Sequence, residues 1–505
     1  MAFVSALAQR GTRIEAQRPW PRVVVDVETW RHAIVGIAAG EATLSGLWSD
    51  GEAVHMALVG AAEILVIGLT PRKRHFPSVG LTHPPALRPE RAIRDLYGLE
   101  PEGSPDARPW LDHGRWGVAQ PLGARRPSPP AGVPYEFLQA EGAPLHQIAV
   151  GPVHAGIIEP GHFRFTASGE TVVRLEERLG YVHKGIEGLM RDVALERGAR
   201  LAGRVSGDST VAYAIAFAQA VEAALALKVP PRAIYLRALM AELERLANHF
   251  GDIGAICNDA SFSLMHAHCG ALRERVLRAA ELCFGHRLMM DRVVPGGTVV
   301  DLDEKGLSAI PALIEAVRRD FPELVELYDN TASLQDRTVS TGIVKPELVR
   351  QYGAGGYIGR ASGRSFDARR TLGYAPYGEL SFEVPVRSEG DVDARVWIRV
   401  REIEQSLALI EQITTRLPQG AIRVDARAAS PGHGAYEGIA LVEGFRGDIL
   451  AWVRLGSDAT VAHAHLRDPS WFQWPLLEAA IEGNIVADFP LCNKSFNCSY
   501  AGHDL

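Results

Sequence analysis

Long helical segments in the middle of the sequence constrain its fold more than any other feature. One of them, Arg232 to Cys257, has a single apolar stripe, with Glu242, Glu244 and Arg245 outside it or at its border. Several consecutive helices of this length predict a helix bundle as the core. Helical spacing or continuous apolar content extends over Leu175 to Arg197, Asp208 to Lys228, Arg232 to Cys257 and Met265 to Met290.

The two ends of the chain add β-structure, so the predicted fold class is α+β. Residues 1–116 predict a small α/β domain, with strands at Val23–Val27 and Ala62–Gly68 and a helix at Glu28–Ala39. Residues 117–145 are rich in proline and glycine and predict a linker. Residues 146–505 then form a large domain dominated by helices, with peripheral hairpins. Its later part predicts a hairpin at Gly438–Leu455 and helices at Asp391–Thr415 and Trp471–Ile485.

Charge and composition exclude several classes of function. The net charge is -7, so no general basic surface is available for nucleic acid or anionic lipid. The most apolar run, Val211 to Leu227, contains Gln219 and Glu222 and is shorter than a bilayer span, which favours a buried helix. Residues 1–18 lack the apolar stretch of a signal peptide. We therefore expect a cytoplasmic protein, and any association with the inner membrane would come through partner subunits.

The cysteines do not form a recognisable cofactor motif. There are five, Cys257, Cys269, Cys283, Cys492 and Cys498, and no two have the CxxC spacing. This odd set argues against a disulfide framework and against a zinc or iron–sulfur site built by this chain alone. It is typical of a reducing compartment, and we interpret Cys492 and Cys498 as buried apolar side chains.

Several motifs carry a resemblance to one family. Residues Glu90 to Asp106 resemble the signature of the C subunit of respiratory complex I. From Gly151 onward the chain is similar to the D subunit of complex I and to large subunits of group 4 membrane-bound nickel–iron hydrogenases. The order of the two parts is that of the formate hydrogenlyase and hydrogenase-4 large subunits. The matching runs are Gly151–His154, Glu159–Arg164, Leu179–Glu187, Glu242–His249 and Asp468–Ser470.

The resemblance also identifies what this chain lacks. Where such hydrogenases carry RxCGxC and DPCxxC, this sequence places Ser206, Ser209, Ser499 and Gly502 at the ligand positions. A nickel–iron centre needs thiolate ligands, and a serine hydroxyl is hard and protonated near neutral pH. We expect no metal and no other cofactor bound by this chain. We also expect no maturation step, because the extension that a protease removes from metal-bearing relatives is not visible after Leu505.

Glu187 is the candidate catalytic residue. In hydrogenases of this family the equivalent glutamate stands beside the metal and passes protons, so the resemblance implies a proton-relay role for Glu187. A carboxyl group in a closed cavity can relay protons without a metal. Two structural roles stay open as alternatives. Glu187 could be a carboxylate on a helix surface or a buried partner of Arg204.

The resemblance to complex I raises the question of a quinone. The head-group tyrosine position falls at Gly207 and the head-group histidine position near Ile158 or Glu159, so neither ligand is clearly retained. His162, interpreted as lying on the same loop as His154, is a substitute candidate, although a structural role is the simpler interpretation. The candidates for the cavity or quinone side are His154, His162, Ser206, Asp208, Ser209, Arg364, Asp367 and Arg369. The last three align with a segment over the metal site, and their alternative role is a structural ion network.

The function that follows is a subunit of a membrane-associated oxidoreductase, similar to complex I or hydrogenase-4. The resemblance implies an iron–sulfur small subunit, which holds the cluster, and antiporter-like and other hydrophobic membrane subunits as partners. Electron transfer from the cluster would be coupled to proton movement or quinone reduction. The alternative is a non-catalytic structural or assembly subunit. An active hydrogenase requires ligands that the sequence does not contain.

Overall fold

A five-stranded sheet covered by helices forms the N-terminal domain of the structure, a computed structural model that describes residues 3–124, 126–127, 134–154, 158–427 and 436–505. The sheet has the order β1-β3-β6-β5-β4, with β3 and β6 parallel and the other neighbours antiparallel. Its elements are α1 (Phe3–Ala8), β1 (Thr12–Ile14), β2 (Gln17–Arg18), β3 (Arg22–Val24), α2 (Val27–Ala38), β4 (Thr43–Ser49), β5 (Val54–Val59), β6 (Ile64–Leu69), β7 (His75–Pro77), α3 (Leu87–Tyr97) and β8 (Glu100–Glu102).

A short ladder and a three-stranded antiparallel sheet lead into the large domain. The ladder joins β9 (Val118–Ala119) to β10 (Arg126–Pro127), inside the predicted linker. The sheet consists of β11 (Leu145–Val150), β12 (His162–Ser168) and β13 (Thr171–Arg178). After β13 the chain enters the helical core through α4 (Ile186–Leu189), β14 (Val193–Ala194) and α5 (Leu195–Ala202).

Long helices form the core of the large domain. The buried side of α7 packs on α8 and α13, and its apolar residues join one large hydrophobic cluster. The remaining elements are α6 (Thr210–Ala224), α7 (Pro231–Asp259), α8 (Ser263–Phe284), β15 (Val293–Val294), β16 (Gly297–Thr298), α9 (Glu304–Asn330), α10 (Ala332–Thr338), α11 (Pro346–Tyr352), α12 (Gly356–Ala361), α13 (Val392–Thr415), β17 (Tyr436–Gly444), β18 (Gly447–Leu455), β19 (Thr460–Arg467), α14 (Ser470–Ile481), α15 (Phe489–Phe496) and α16 (Tyr500–Asp504).

The α+β class is confirmed, and most of the predicted elements are present. The predicted hairpin corresponds to β17 and β18, and helices α6, α7, α8, α13 and α14 lie where the spacing placed them. The run Val211 to Leu227 lies largely within the buried helix α6. None of the helices in the described part of the chain is both long and apolar enough to cross a bilayer.

One helix prediction was wrong, and one long helix was missed. Leu175 to Arg197 is not one helix, because β13 occupies its start and Gly180 and Gly185 then adopt φ values of 95° and 67°. These left-handed conformations interrupt a helix and favour glycine. Conversely, the 27-residue helix α9 was not predicted, because it contains Pro311 and Pro322, which normally signal a helix end.

The two domains share a sheet and a buried ionic seam. Strand β2, from the N-terminal domain, pairs in parallel with β17 at the edge of the large-domain sheet β14-β19-β18-β17-β2. Beside it, the carboxylate of Glu437 lies 2.7 Å from Nε of Arg22 and 2.9 Å from Nε of Arg454. Arg454 also contacts Asp50 at 2.7 Å, and Asp50 contacts His55 at 2.9 Å. The seam therefore joins Arg22 and Asp50 of the N-terminal domain to Glu437 and Arg454 of the large domain.

We expect Glu437→Ala to lower the free energy of unfolding by about 3 kcal/mol, because it leaves the Arg22 and Arg454 guanidinium groups without their shared carboxylate. Urea titration followed by circular dichroism measures the change. The control is Glu347→Ala, which removes the partner of Arg350 from an exposed pair and should change stability by less than about 0.5 kcal/mol. Equal effects of the two substitutions would contradict a stabilising role for the seam.

Candidate functional site

Two serines and an aspartate meet at a polar cavity of about 310 Å³, which we call the serine cavity. Ser206 lies just before the first turn of the helical segment that leads into α6, and Ser499 is the N-cap of α16. Their Oγ atoms are 2.9 Å apart, and the Ser206 hydroxyl is 2.6 Å from Oδ1 of Asp208. Because Asp208 accepts the Ser206 proton, Ser499 must donate to Ser206. Both hydroxyl protons are thus used inside the protein.

A buried arginine fills the side of this cavity. Arg446, in the tight turn between β17 and β18, forms a bidentate ion pair with Asp208, and its Nη1 lies 2.9 Å from Oδ1. The same Nη1 donates to Oγ of Ser209 at 3.2 Å. Burial alone would raise the pKa of Asp208, but the charge and hydrogen bonds of Arg446 lower it below its usual value. The pair therefore stays charged.

The fourth predicted ligand position has no room for a side chain. Gly502 lies in α16, and a Cβ added to it would be 2.4 Å from Oδ2 of Asp468 and 2.9 Å from Oγ of Ser499. Asp468 is held in place by hydrogen bonds from Tyr213 and from the amide of Ser470. The carboxylate of Asp468 therefore stands where a cysteine side chain would project.

The residues around the serine cavity do not fit a nickel–iron centre. Such a centre takes soft thiolates, whereas Ser206, Ser209 and Ser499 offer hydroxyl groups that already hydrogen bond within the protein. Gly502 offers no donor, and its surroundings exclude one. Cys498 is buried, and burial raises the pKa of its thiol well above the usual value. This disfavours the thiolate form that a metal binds.

The two histidine candidates contact backbone carbonyl groups outside the serine cavity. Nε2 of His154 is 2.7 Å from the carbonyl oxygen of Gly161, and Nδ1 of His162 is 3.3 Å from that of Gly151. His162 begins strand β12, so the prediction that it lies on the loop was wrong. Neither ring lines the serine cavity, whereas Glu159 does. The structure therefore separates these histidines from Ser206 and Ser499.

Glu187 lines a different cavity. It lies at the start of α4, facing a space of about 360 Å³ between the two domains, which we call the interdomain cavity. Its Oε1 is 2.7 Å from Nδ1 of His465, whose ring stacks on the indole of Trp48 at 5.0 Å. The suggested partner was wrong, because Arg204 pairs with Asp291 instead. Glu187 is thus the acidic half of a carboxylate–imidazole pair.

The cluster predicted from Arg364, Asp367 and Arg369 divides in two. Asp367 and Arg369 are buried, and their charged groups are 2.7 Å apart. Both belong to a buried ion network that includes Glu443 of strand β17. Arg364 is half-buried, donates to the carbonyl of Ala354 and stacks on Phe366. None of the three lines the serine or the interdomain cavity. The other charged members of the network are Glu242, Arg245, Arg360, Glu402 and Glu443, and His249 hydrogen bonds to Glu402.

Sequence reasoning missed several residues that build the two sites. Glu242, Glu244 and Arg245 are buried, although their position relative to the apolar stripe suggested otherwise. Arg446, Asp468 and His465 were not singled out. Two of these residues had a signal in the sequence. Arg446 is flanked by glycines in Gly444–Gly447, and Asp468 belongs to the run Asp468–Ser470. Only the fold shows that Arg446 pairs with Asp208, that Asp468 lies beside Gly502 and that His465 pairs with Glu187.

Two parts of the chain match models of known protein families. Residues 259–437 match the family described as the respiratory-chain NADH dehydrogenase 49 Kd subunit, and residues 51–129 match the 30 Kd subunit. Formate hydrogenlyase subunit 5 of Escherichia coli is 31% identical, over 86% of this chain and 77% of its own length. The chain belongs to this family of complex I and membrane-bound hydrogenase subunits. Hydrogenase-4 component G of the same organism is 31% identical over 92% of this chain and 82% of its own length.

The family assignment extends to a solved structure. A chain of the membrane-bound sulfane sulfur reductase, described as an archaeal respiratory membrane complex, matches with a TM-score of 0.67 and 26% identity. The match covers 72% of this chain and 98% of the other. The D subunit of NADH-quinone oxidoreductase from Desulfotalea psychrophila is 32% identical over 67% of this chain and 91% of its own length. The predicted resemblance to complex I, formate hydrogenlyase and hydrogenase-4 is thus confirmed.

We expect Gly502→Ala to reduce the free energy of unfolding by about 2 kcal/mol, because the new Cβ would overlap the fixed carboxylate of Asp468. Gly207→Ala is the matched control, since it lines the same cavity and no atom lies within 4 Å of the added Cβ. Chemical unfolding of both variants measures the difference. A Gly502 variant as stable as the Gly207 variant would show that Asp468 moves freely.

Proposed function

We propose that this chain is a subunit of a membrane-associated oxidoreductase, similar to complex I or hydrogenase-4, that works without a nickel–iron centre. The observation that carries the proposal is the replacement of the metal ligands by an internally bonded set of Ser206, Ser499, Asp208 and Arg446. Family membership supports the oxidoreductase class. The side chains in the serine cavity support a form of it that has lost hydrogenase chemistry.

The proposed partners follow from what this chain does not supply. Its five cysteines are all buried and include no CxxC pair, so we assign the iron–sulfur cluster to a small partner subunit. Ion movement across a membrane would belong to antiporter-like hydrophobic subunits. In this scheme electrons reach the cluster, and this chain converts their arrival into proton movement. A quinone acceptor is a second form of the proposal, with Gly207, Ile158 and Glu159 as residues of the serine cavity beside its head group.

Glu187 is the proposed proton carrier. A carboxylate and an imidazole 2.7 Å apart can exchange a proton along their hydrogen bond. Both side chains are largely buried, which limits competing proton exchange with bulk water. Lys184, in the loop that precedes α4, donates through Nζ to the carbonyl oxygens of Arg204 and Val205. That loop therefore connects the segment carrying Ser206 to the interdomain cavity. A displacement of the backbone at the serine cavity can therefore reach the interdomain cavity through the hydrogen bonds of Lys184.

A structural or assembly subunit is the second candidate function. The bidentate Arg446–Asp208 pair favours it, because a charged pair that closes a former reaction site stabilises one arrangement of β17, β18 and α6. In that case the chain would hold partner subunits together, and no proton would pass through Glu187. The two candidates differ in the behaviour of one substitution.

We expect Glu187→Gln to leave assembly intact and to reduce redox-linked proton movement by about tenfold or more, because glutamine keeps the shape but cannot exchange a proton. Proton uptake by vesicles containing the complex, normalised to the amount of assembled complex, measures the effect. Glu347→Gln, an exposed glutamate, is the control. Normal pumping by an assembled Glu187 variant would reject the relay and favour the structural candidate.

We also expect the purified complex to hold no nickel in this subunit, because hydroxyl groups and a glycine replace the thiolates. Elemental analysis of the complex, with a nickel–iron hydrogenase as the positive standard, measures the content. Roughly one nickel per chain would overturn this part of the proposal.

A further inference from the structure

The interdomain cavity has the size and walls of a small-molecule site. Its volume is about 360 Å³, which lies in the range of ligand sites, and such sites often occur between domains. The N-terminal domain contributes Trp48 and Leu96, and the large domain contributes Ile186, Trp471 and Phe472. Aromatic side chains from both domains therefore line the cavity, and the site exists only when the domains are together. Its lining shares no residue with the serine cavity.

The basic side chains of the cavity are already engaged. Nζ of Lys184 donates to the carbonyl oxygens of Arg204 and Val205, each at 2.7 Å. Arg467 forms a buried ion pair with Asp448. An anionic ligand would therefore have to break these bonds before it gained a cationic partner.

The acidic side chains differ from one another. Both oxygens of Asp504 accept backbone amides, from Gly180 at 2.9 Å and Val182 at 3.0 Å. Glu187 uses only Oε1, which His465 contacts, and no hydrogen bond reaches Oε2 from the described parts of the chain. The cavity therefore presents one carboxylate oxygen with unused acceptor capacity.

We propose that the interdomain cavity binds a neutral aromatic molecule that carries a hydroxyl group. The ring would pack between the aromatic walls, and the hydroxyl would donate to Oε2 of Glu187, since an ionised carboxylate only accepts. The stacking of His465 on Trp48, at 5.0 Å and 7°, fixes the partner that orients Glu187. A carboxylate ligand would be repelled, and a ligand without a donor would leave Oε2 unmatched.

Equilibrium dialysis of the full chain with three naphthalene probes tests the ligand class. We expect 2-naphthol to bind, 2-methoxynaphthalene to bind about tenfold more weakly, and 2-naphthoate not to bind. The factor reflects the loss of one hydrogen bond to a charged acceptor. Equal binding of 2-naphthol and 2-methoxynaphthalene, or preferred binding of 2-naphthoate, would overturn the proposal.

Two matched variants locate the site. Leu189 lines the cavity and is 50% exposed, so the larger side chain of Leu189→Trp should fill the cavity and leave the buried core unchanged. Leu264 is equally exposed, at the start of α8 away from this cavity, and Leu264→Trp should bind 2-naphthol normally. Equal binding by both variants would place the probe elsewhere. Melting temperatures close to that of the unsubstituted chain verify that both fold.

Glu187→Gln tests the polar contact. The variant should still bind 2-naphthol, but the preference over 2-methoxynaphthalene should fall from about tenfold to about threefold, because a neutral amide oxygen accepts more weakly. An unchanged preference would show that Glu187 does not recognise the hydroxyl. The measurement involves no electron transfer or partner subunit, so it can fail while the proposed function stands, and the reverse.

Discussion

Buried charge pairs join the helices of the large domain to its β-hairpin, and the positions of both cavities depend on them. Arg360 contacts Glu402 at 2.7 Å and Glu443 at 2.9 Å, which links α12 to α13 and β17. Arg369 connects Glu242 on α7 to the same network. A buried ion that lost its partner would be costly, so these contacts permit little variation in how the elements meet. The turn that carries Arg446 is thereby held against α6.

The serine cavity is held by hydrogen bonds and an ion pair, and its four candidate ligand positions, Ser206, Ser209, Ser499 and Gly502, hold no thiol. Hydroxyl groups are not the soft donors that nickel and iron sites use. Asp208 and Arg446 satisfy each other, and Asp468 occupies the space beside Gly502. Cysteines introduced at the four positions would therefore still be surrounded by the Asp208–Arg446 pair and by Asp468.

The domain interface places Glu187 in a setting that neither domain has alone. Its partner His465 belongs to β19 of the large domain, but the ring that stacks on this histidine, Trp48, comes from β4 of the N-terminal domain. Strand β2 and the seam around Glu437 fix the distance between them. The surroundings of Glu187 therefore depend on how the two domains pack.

The sequence by itself determined the α+β class, most helices, the family and the absence of thiolates at four positions. These follow from local periodicity and from residue chemistry, which need no knowledge of distant contacts. Only the tertiary structure decided that Glu187 pairs with His465 and not with Arg204, and that Asp468 fills the space beside Gly502. Residues 187 and 465 are brought together by packing of separate elements, and no local pattern encodes such a meeting. The same reason applies to α9, whose prolines are tolerated because its apolar face is buried against the core.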